Sequence, residues 1–189
     1  DNDADIMMRR SEFNEFMALS DKCFDDYGLI LEYEDKLPTI RMKHSPDVFT
    51  EIVLIDSLPS NKAMRNIKLA LLKTAYGMLK TDYQYANYPL TKKVFAYGTT
   101  SLGKFFSKKT KFTLYKKISQ IGNKKNSDFA FFSNERFVYL NLLFKMSLLN
   151  EVIRVPFENI ELSVPKQWDT ILRMYYGDDY MTPKRYNDS

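Results

Sequence analysis

Residues 50–56, Thr-Glu-Ile-Val-Leu-Ile-Asp, constrain this chain more than any other stretch. The run is short, apolar and rich in β-branched residues, and Ser57-Leu58-Pro59 ends it. That is the pattern of a strand packed into a core. Of its two carboxylates, Asp56 stands at the end and Glu51 inside the run. Side chains two apart share a face of a strand, so Glu51 shares one with Val53 and Ile55. A carboxylate in that setting is costly unless a partner compensates it. An edge position, a salt bridge to Arg10 or Arg41, or a metal ion would each meet the need.

The stretches around this strand fill in a mixed fold. Residues 1–8 read as a strand end or loop. Ser11 is a plausible N-cap with Glu12 and Glu15 behind it, and Phe13, Phe16, Met17 and Phe24 predict a helix over 11–24 that Gly28 breaks. Leu29-Ile30-Leu31 and Thr39-Ile40-Arg41-Met42 read as two more strands, joined through Pro38. Met64, Ile67, Leu71, Ala75 and Met78 form an apolar stripe that predicts a helix over 61–80. A further helix is expected over 90–107, while 111–120 and 135–148 stay open between helix and strand. Residues 151–155 are expected to be extended. The last helix begins after Pro165, carries Trp168, Ile171, Leu172 and Tyr175 on one face, and stops at Gly177. With no repeat or linker, the expectation is one α/β (α+β) domain: a small mixed sheet within 1–59 and a mainly helical region over 60–189.

The residue inventory narrows the chemistry. The chain of 189 residues has one cysteine and one histidine, which excludes a disulfide framework, a cysteine-based zinc site and any site needing two histidines. Cys23 is expected to be a buried apolar residue, and His44 a turn or packing residue. No apolar run approaches the roughly 18 residues of a membrane span. Carboxylates and basic groups must then carry any reaction. Residues 104–125 hold eight lysines and no acidic residue, interleaved with Phe105, Phe106, Phe112 and Tyr115. A solvated helix face, a polyanionic acceptor or lipid surface, and nucleic acid are the three readings. The net charge of +4 is small for a nucleic-acid binder, and no nucleic-acid motif accompanies the lysines, so nucleic acid is not expected as a partner.

Asp3 and Asp5 are two apart, so in extended chain they point to the same side, about 7 Å apart. Such a pair can converge on a hard cation such as Mg²⁺. Spacing alone fits a solvated acidic loop better. Glu51, arriving from another strand, is the candidate third ligand.

Four blocks then occur in order. Asp1-Asn2-Asp3-Ala4-Asp5-Ile6-Met7-Met8-Arg9-Arg10-Ser11-Glu12-Phe13 resembles the W-D-D-D-I-D-I-x-x-P-R-x-D-Y segment of the LicD family, which includes fukutin and the fukutin-related protein. Thr50-Glu51-Ile52-Val53-Leu54-Ile55-Asp56-Ser57-Leu58-Pro59 resembles that family's I-D-I-F-P-L-D-x-L-P strand. Val155-Pro156-Phe157-Glu158-Asn159-Ile160-Glu161-Leu162-Ser163-Val164-Pro165 is similar to V-P-F-E-G-x-x-x-x-V-P, and Tyr176-Gly177-Asp178-Asp179-Tyr180-Met181-Thr182-Pro183 to Y-G-D-x-Y-M-x-x-P.

The resemblance implies a nucleotidyltransferase-like fold and transfer of a phospho-alcohol, such as phosphocholine, from a CDP-activated donor to a sugar hydroxyl of a surface glycan, teichoic acid or lipid-linked sugar. It implies Mg²⁺ or Mn²⁺ held by Asp3, Asp5 and Glu51. Arg10 matches the family's arginine and is the expected phosphate contact, with Glu158 and Tyr176 as further donor-site candidates. Trp168, Tyr175 and Tyr176 fit a core role better than a cytosine platform, and Asp178 and Asp179 a turn. Asn2 and Arg9 depart from the family pattern, standing where it has an acidic residue and a proline. The family's glycine-rich G-T-L-L-G-x-x-R stretch lies upstream of the first block, so the domain is expected to be N-terminally incomplete as numbered. The expected location is bacterial, cytoplasmic or at a membrane surface. Two alternatives stand beside this: a degenerate, non-catalytic relative that binds a polyanionic surface, and a nucleotidyltransferase that uses a nucleoside triphosphate.

Overall fold

The computed structural model describes residues 5–33, 38–80, 89–123, 127–135 and 137–182. In chain order the elements are β1 (Ile6–Arg9), α1 (Arg10–Cys23), β2 (Leu29–Glu32), β3 (Thr39–Met42), β4 (Ser45–Leu58), α2 (Lys62–Leu79), α3 (Leu90–Gly103), α4 (Lys108–Gln120), β5 (Phe129–Phe132), β6 (Leu143–Lys145), β7 (Val152–Phe157), β8 (Ile160–Pro165) and α5 (Trp168–Tyr176). Single 3₁₀ turns at Phe137–Asn141 and Met146–Leu149 flank β6. The domain is mixed α+β, as its sequence predicts.

β4 is the spine of the main sheet. The apolar run forms its centre, but the strand reaches back to Ser45, well before residue 50. β1 runs parallel to it, with Ile6 opposite Ile52 and Arg9 opposite Ile55. β3 and β5 both pair antiparallel with it, β3 up to Glu51 and β5 from Ile55 onward. A strand residue's N–H and C=O point to the same edge. Ile52 donates to the Pro38 carbonyl on the β3 side and accepts from Asn134 beyond the end of β5. β3 and β5 therefore lie end to end along one edge, and β1 covers the other.

The gap between β3 and β5 is filled by one side chain. The Asn134 amide accepts from the Leu54 N–H at 2.7 Å and donates to the Ile52 carbonyl at 2.9 Å. It replaces a missing stretch of strand and satisfies buried backbone groups.

Both faces of β4 are covered, which is why its centre is continuously apolar. Ile52 and Leu54 pack with Phe13 beneath α1, and Leu58 with Leu72, Tyr115, Ile118 and Phe131 beneath α2 and α4. Val53 and Ile55 face the other way, onto Phe132, Phe144, Leu149 and Ile171 of α5. β7 and β8 form a separate hairpin.

Several expectations are corrected. Met64, Ile67 and Leu71 face outward on α2, while Lys68, Leu69, Leu72, Ala75 and Met78 are buried. Lys68 takes the inward place because its ammonium donates to the carbonyls of Ser57 at 2.7 Å and Ile121 at 2.8 Å. Burial pulls its pKa down to about 8, against the raising influence of Asp56. Cys23 is exposed, because it ends α1 on the solvent side. Trp168 is 40% exposed at the first turn of α5 rather than core. α1 begins at Arg10, so Ser11 lies inside it, and the Arg9 N–H is taken by Glu12 at 2.9 Å. The expected helix over 90–107 ends at Gly103, an elbow follows, and α4 resolves the open stretch at 111–120. His44 does sit in the β3–β4 turn.

The α2–α3 crossing depends on two glycines. A Cβ on Gly103 would meet the Met78 carbonyl oxygen at 2.5 Å, and one on Gly77 would collide with the Thr99 side chain. A backbone oxygen cannot step aside, so Gly103→Ala is expected to pry the helices apart. It should cost about 1–3 kcal/mol in urea unfolding. A change within experimental error would refute the tight crossing.

Candidate functional site

The opening between the split edge of the sheet and the helices is a cleft of about 670 Å³. Asp5, Glu51, Arg10, Tyr176 and the lysines 80, 108 and 116 are in its wall. Strand register explains the acidic part. Ile6 and Ile52 are partners in the parallel β1–β4 ladder, so Asp5 and Glu51 stand one step before them on adjacent strands. Strands so paired lie about 4.8 Å apart. Two side chains separated by 46 positions in sequence thus become neighbours, and Glu51 is half-buried where the apolar run begins.

Two adjacent carboxylates offer hard oxygen donors, the chemistry that Mg²⁺ or Mn²⁺ takes. The donor type fits such an ion. Among the described residues, no group of three or more His, Cys, Asp or Glu is placed to hold a metal. Asp3, the expected companion, lies outside the described residues.

Arg10 reaches the cleft wall but is committed elsewhere. It pairs bidentately with Asp56, Nε to Oδ1 at 3.0 Å and Nη2 to Oδ2 at 2.7 Å. It also donates to the Tyr33 hydroxyl and the Ser133 Oγ, each at 3.3 Å. Asp56 is fully buried and accepts a further 2.5 Å bond from the Asn123 amide. A buried ion pair with its remaining lone pairs satisfied is a rigid strut. It ties the start of α1 to the far end of β4. The geometry commits the Arg10 guanidinium to Asp56, Tyr33 and Ser133, where the sequence suggests a phosphate contact.

The basic groups of the cleft come from α2 and α4 instead. Lys108, Phe112, Tyr115, Lys116 and Ser119 recur at the spacing of one helix face, and that face of α4 lines the cleft. Lys116 Nζ lies 4.3 Å from the Tyr33 ring centroid, and Lys80 Nζ 5.5 Å from that of Tyr76. Lys108 and Lys116 belong to the undivided basic stretch at 104–125, whereas Lys80 lies outside it, just after α2. The helical spacing of residues 108, 112, 116 and 119 is the signal that separates Lys108 and Lys116 from the solvent-facing ones. Lys124 and Lys125, in the same basic stretch, lie outside the described residues.

Aromatic rings make up the remaining wall. Tyr139 and Tyr175 stack at 4.2 Å and 14°, and Tyr176 meets Tyr175 edge-on at 4.6 Å. Burial, and then the charge of Asp5, pushes the Tyr176 hydroxyl above its usual pKa. Burial, then Glu135, does the same at Tyr175. Both are therefore un-ionised hydrogen-bond donors at neutral pH. Tyr115, also raised mainly by burial, donates to the Ser133 carbonyl at 2.6 Å and steadies the segment that carries Asn134.

Glu158 is not in this wall. It occupies the exposed turn between β7 and β8 with φ of 51°, and the hairpin geometry accounts for that left-handed backbone. Asp178 and Asp179 lie in the turn after Gly177, whose φ of 97° ends α5. Of the candidates in the sequence, the structure gathers Asp5, Glu51, Arg10 and Tyr176 and leaves Glu158 outside. Asp56, Asn134 and the three lysines join them unannounced.

No protein-family model matches the chain, and neither a curated protein nor a solved structure does.

Proposed function

We propose that this chain is a metal-dependent phosphotransferase of the LicD type, built on a nucleotidyltransferase-like fold. It moves a phospho-alcohol from a CDP-activated donor to a sugar hydroxyl of a surface glycan, teichoic acid or lipid-linked sugar, and releases CMP. The observation that carries this reading is the placement of Asp5 beside Glu51 in a cleft that also holds Lys80, Lys108 and Lys116. Carboxylates facing lysines suit a diphosphate accompanied by a cation, since each side neutralises a charge the other lacks.

Asp5 and Glu51, with Asp3, would hold Mg²⁺ or Mn²⁺, and such an ion supplies charge neutralisation on the phosphate oxygens. The lysines pair with the donor's diphosphate and with the phosphate charge of the departing CMP. The acceptor hydroxyl forms the new O–P bond as the bond from phosphorus to the bridging diphosphate oxygen breaks. Its proton passes to a carboxylate, Glu51 or Asp5. Tyr176 and the stacked Tyr139–Tyr175 pair give flat apolar area and hydroxyl donors for the donor's base or alcohol.

The test supplies CDP-choline or CDP-ribitol with Mg²⁺ and a polyol or teichoic-acid acceptor, and measures CMP. Release is expected, and chelation with EDTA should stop it. Pyrophosphate formed from a nucleoside triphosphate, with no CMP from any CDP-alcohol, would transfer the chain to the nucleotidyltransferases. Silence in both assays, with glycan binding retained, would make it a binding module.

A further inference from the structure

α3 carries two apolar faces. Ala96, Thr99 and Gly103 form one, buried against α2. Leu90, Val94 and Tyr97 form the other, at spacings of four and three residues, and are 77%, 66% and 69% exposed. The close approach of Gly103 to the Met78 carbonyl fixes which face meets α2, so the second stays outward. Phe105 extends the apolar surface into the elbow that follows and is 84% exposed, with Phe106 beside it at 43%. Apolar side chains so grouped on one helix and its elbow mark a surface that another phase or molecule covers.

The charge around it identifies the cover. Residues 83–127 contain ten lysines and no acidic residue, although the whole chain is only +4. Lys92, Lys104, Lys108 and Lys109 are exposed beside the apolar groups. A second copy docked on this face would set lysines against lysines. Nucleic acid would answer the charge but give Leu90 and Val94 nothing to bury into. An anionic lipid surface answers both, because apolar side chains enter the acyl boundary while lysines meet the headgroups.

We propose that α3 and the elbow at 104–107 dock this protein on an anionic membrane surface, with Leu90, Val94, Tyr97 and Phe105 inserted and the neighbouring lysines on the headgroups. No helix among the described residues is long and apolar enough to cross a membrane, and the docking proposed for this face lies in the plane of the surface. α4 leads from the elbow into the cleft wall through Lys108 and Phe112, which brings an acceptor carried on a lipid beside the site. The docking itself does not depend on the phosphotransfer reading.

Sedimentation of the full chain with vesicles tests it. Vesicles of equal parts phosphatidylglycerol and phosphatidylcholine are expected to bind the protein, and pure phosphatidylcholine to bind it much less. Binding should weaken in about 0.5 M salt, where screening shortens to under about 5 Å. Val94→Ser with Phe105→Ser should lower affinity at least about tenfold. Lys104→Gln with Lys109→Gln should lower it for anionic vesicles alone. These side chains are exposed, so unfolding midpoints should hold. Glu51→Gln should bind like the parent, which separates failure of docking from failure of catalysis. Equal binding to both vesicle types, or undiminished binding by the serine variant, overturns the proposal. So does self-association that the serine variant abolishes while vesicles go unbound.

Discussion

Glu51→Gln is expected to cut CMP release by about 10²–10³-fold while the protein still unfolds cooperatively. The amide keeps the shape of the side chain and removes its charge. If Glu51 and Asp5 jointly hold a cation against the donor diphosphate, that loss falls on the transition state, where phosphate charge is greatest. The effect should appear in kcat, and added Mg²⁺ should recover part of it if affinity for the ion has also dropped. Asp5→Asn should behave alike, because register places the two as neighbours on paired strands. The double variant should lose little more than either single one, since groups that act as a unit are not additive. Full activity in Glu51→Gln would remove the basis for phosphoryl transfer at this cleft.

The second large effect belongs to Arg10 and Asp56. Arg10→Met strands the fully buried carboxylate of Asp56, and removal of one partner of a buried pair costs about 3–5 kcal/mol. Against a total stability of about 5–15 kcal/mol, that is enough to unfold much of the protein on mild heating. Urea unfolding reads it directly. Arg10→Met combined with Asp56→Leu should recover a large part of the loss, because neither charge is then left unpaired. The same series decides between two roles for the arginine. Destabilisation that the second substitution relieves marks the strut the geometry indicates. An Arg10→Lys variant that keeps its stability but shows a raised KM for the CDP-alcohol would mark the phosphate contact that the sequence suggests.

The two roles were hard to separate beforehand because Asp56 looked like the end of a strand. In the fold it is the fully buried centre of a network that joins Arg10, Asn123, Tyr33 and Ser133. Nothing in local spacing connects positions 10, 56 and 123. The same holds for Asn134, whose amide completes β4 in the gap between β3 and β5. β5 itself went unanticipated, since four residues, Phe-Ala-Phe-Phe, show no alternation that distinguishes strand from buried helix.

α2 shows the limit from the opposite direction. Its apolar stripe was legible, and the helix is where the stripe predicts it. The face turned to the core is nonetheless the one that carries Lys68, because two backbone carbonyls happen to lie where its ammonium reaches. Periodicity measures how apolar side chains are distributed around a helix. It is blind to polar partners that only packing can supply.

What the chain's order of residues determined by itself was the mixed character of the domain, most of its helices, the strand at 50–56, and the suspicion that Glu51 required a partner. These follow from local forces: side-chain period, turn chemistry and the cost of a carboxylate in an apolar strand. Tertiary structure alone decided that Asp5 is the neighbour of Glu51, that Asp56 claims Arg10, and that one face of α4 turns its lysines into the cleft. Each of those depends on which strands pair and in what register, and pairing is settled by the burial of the whole sheet rather than by any one segment.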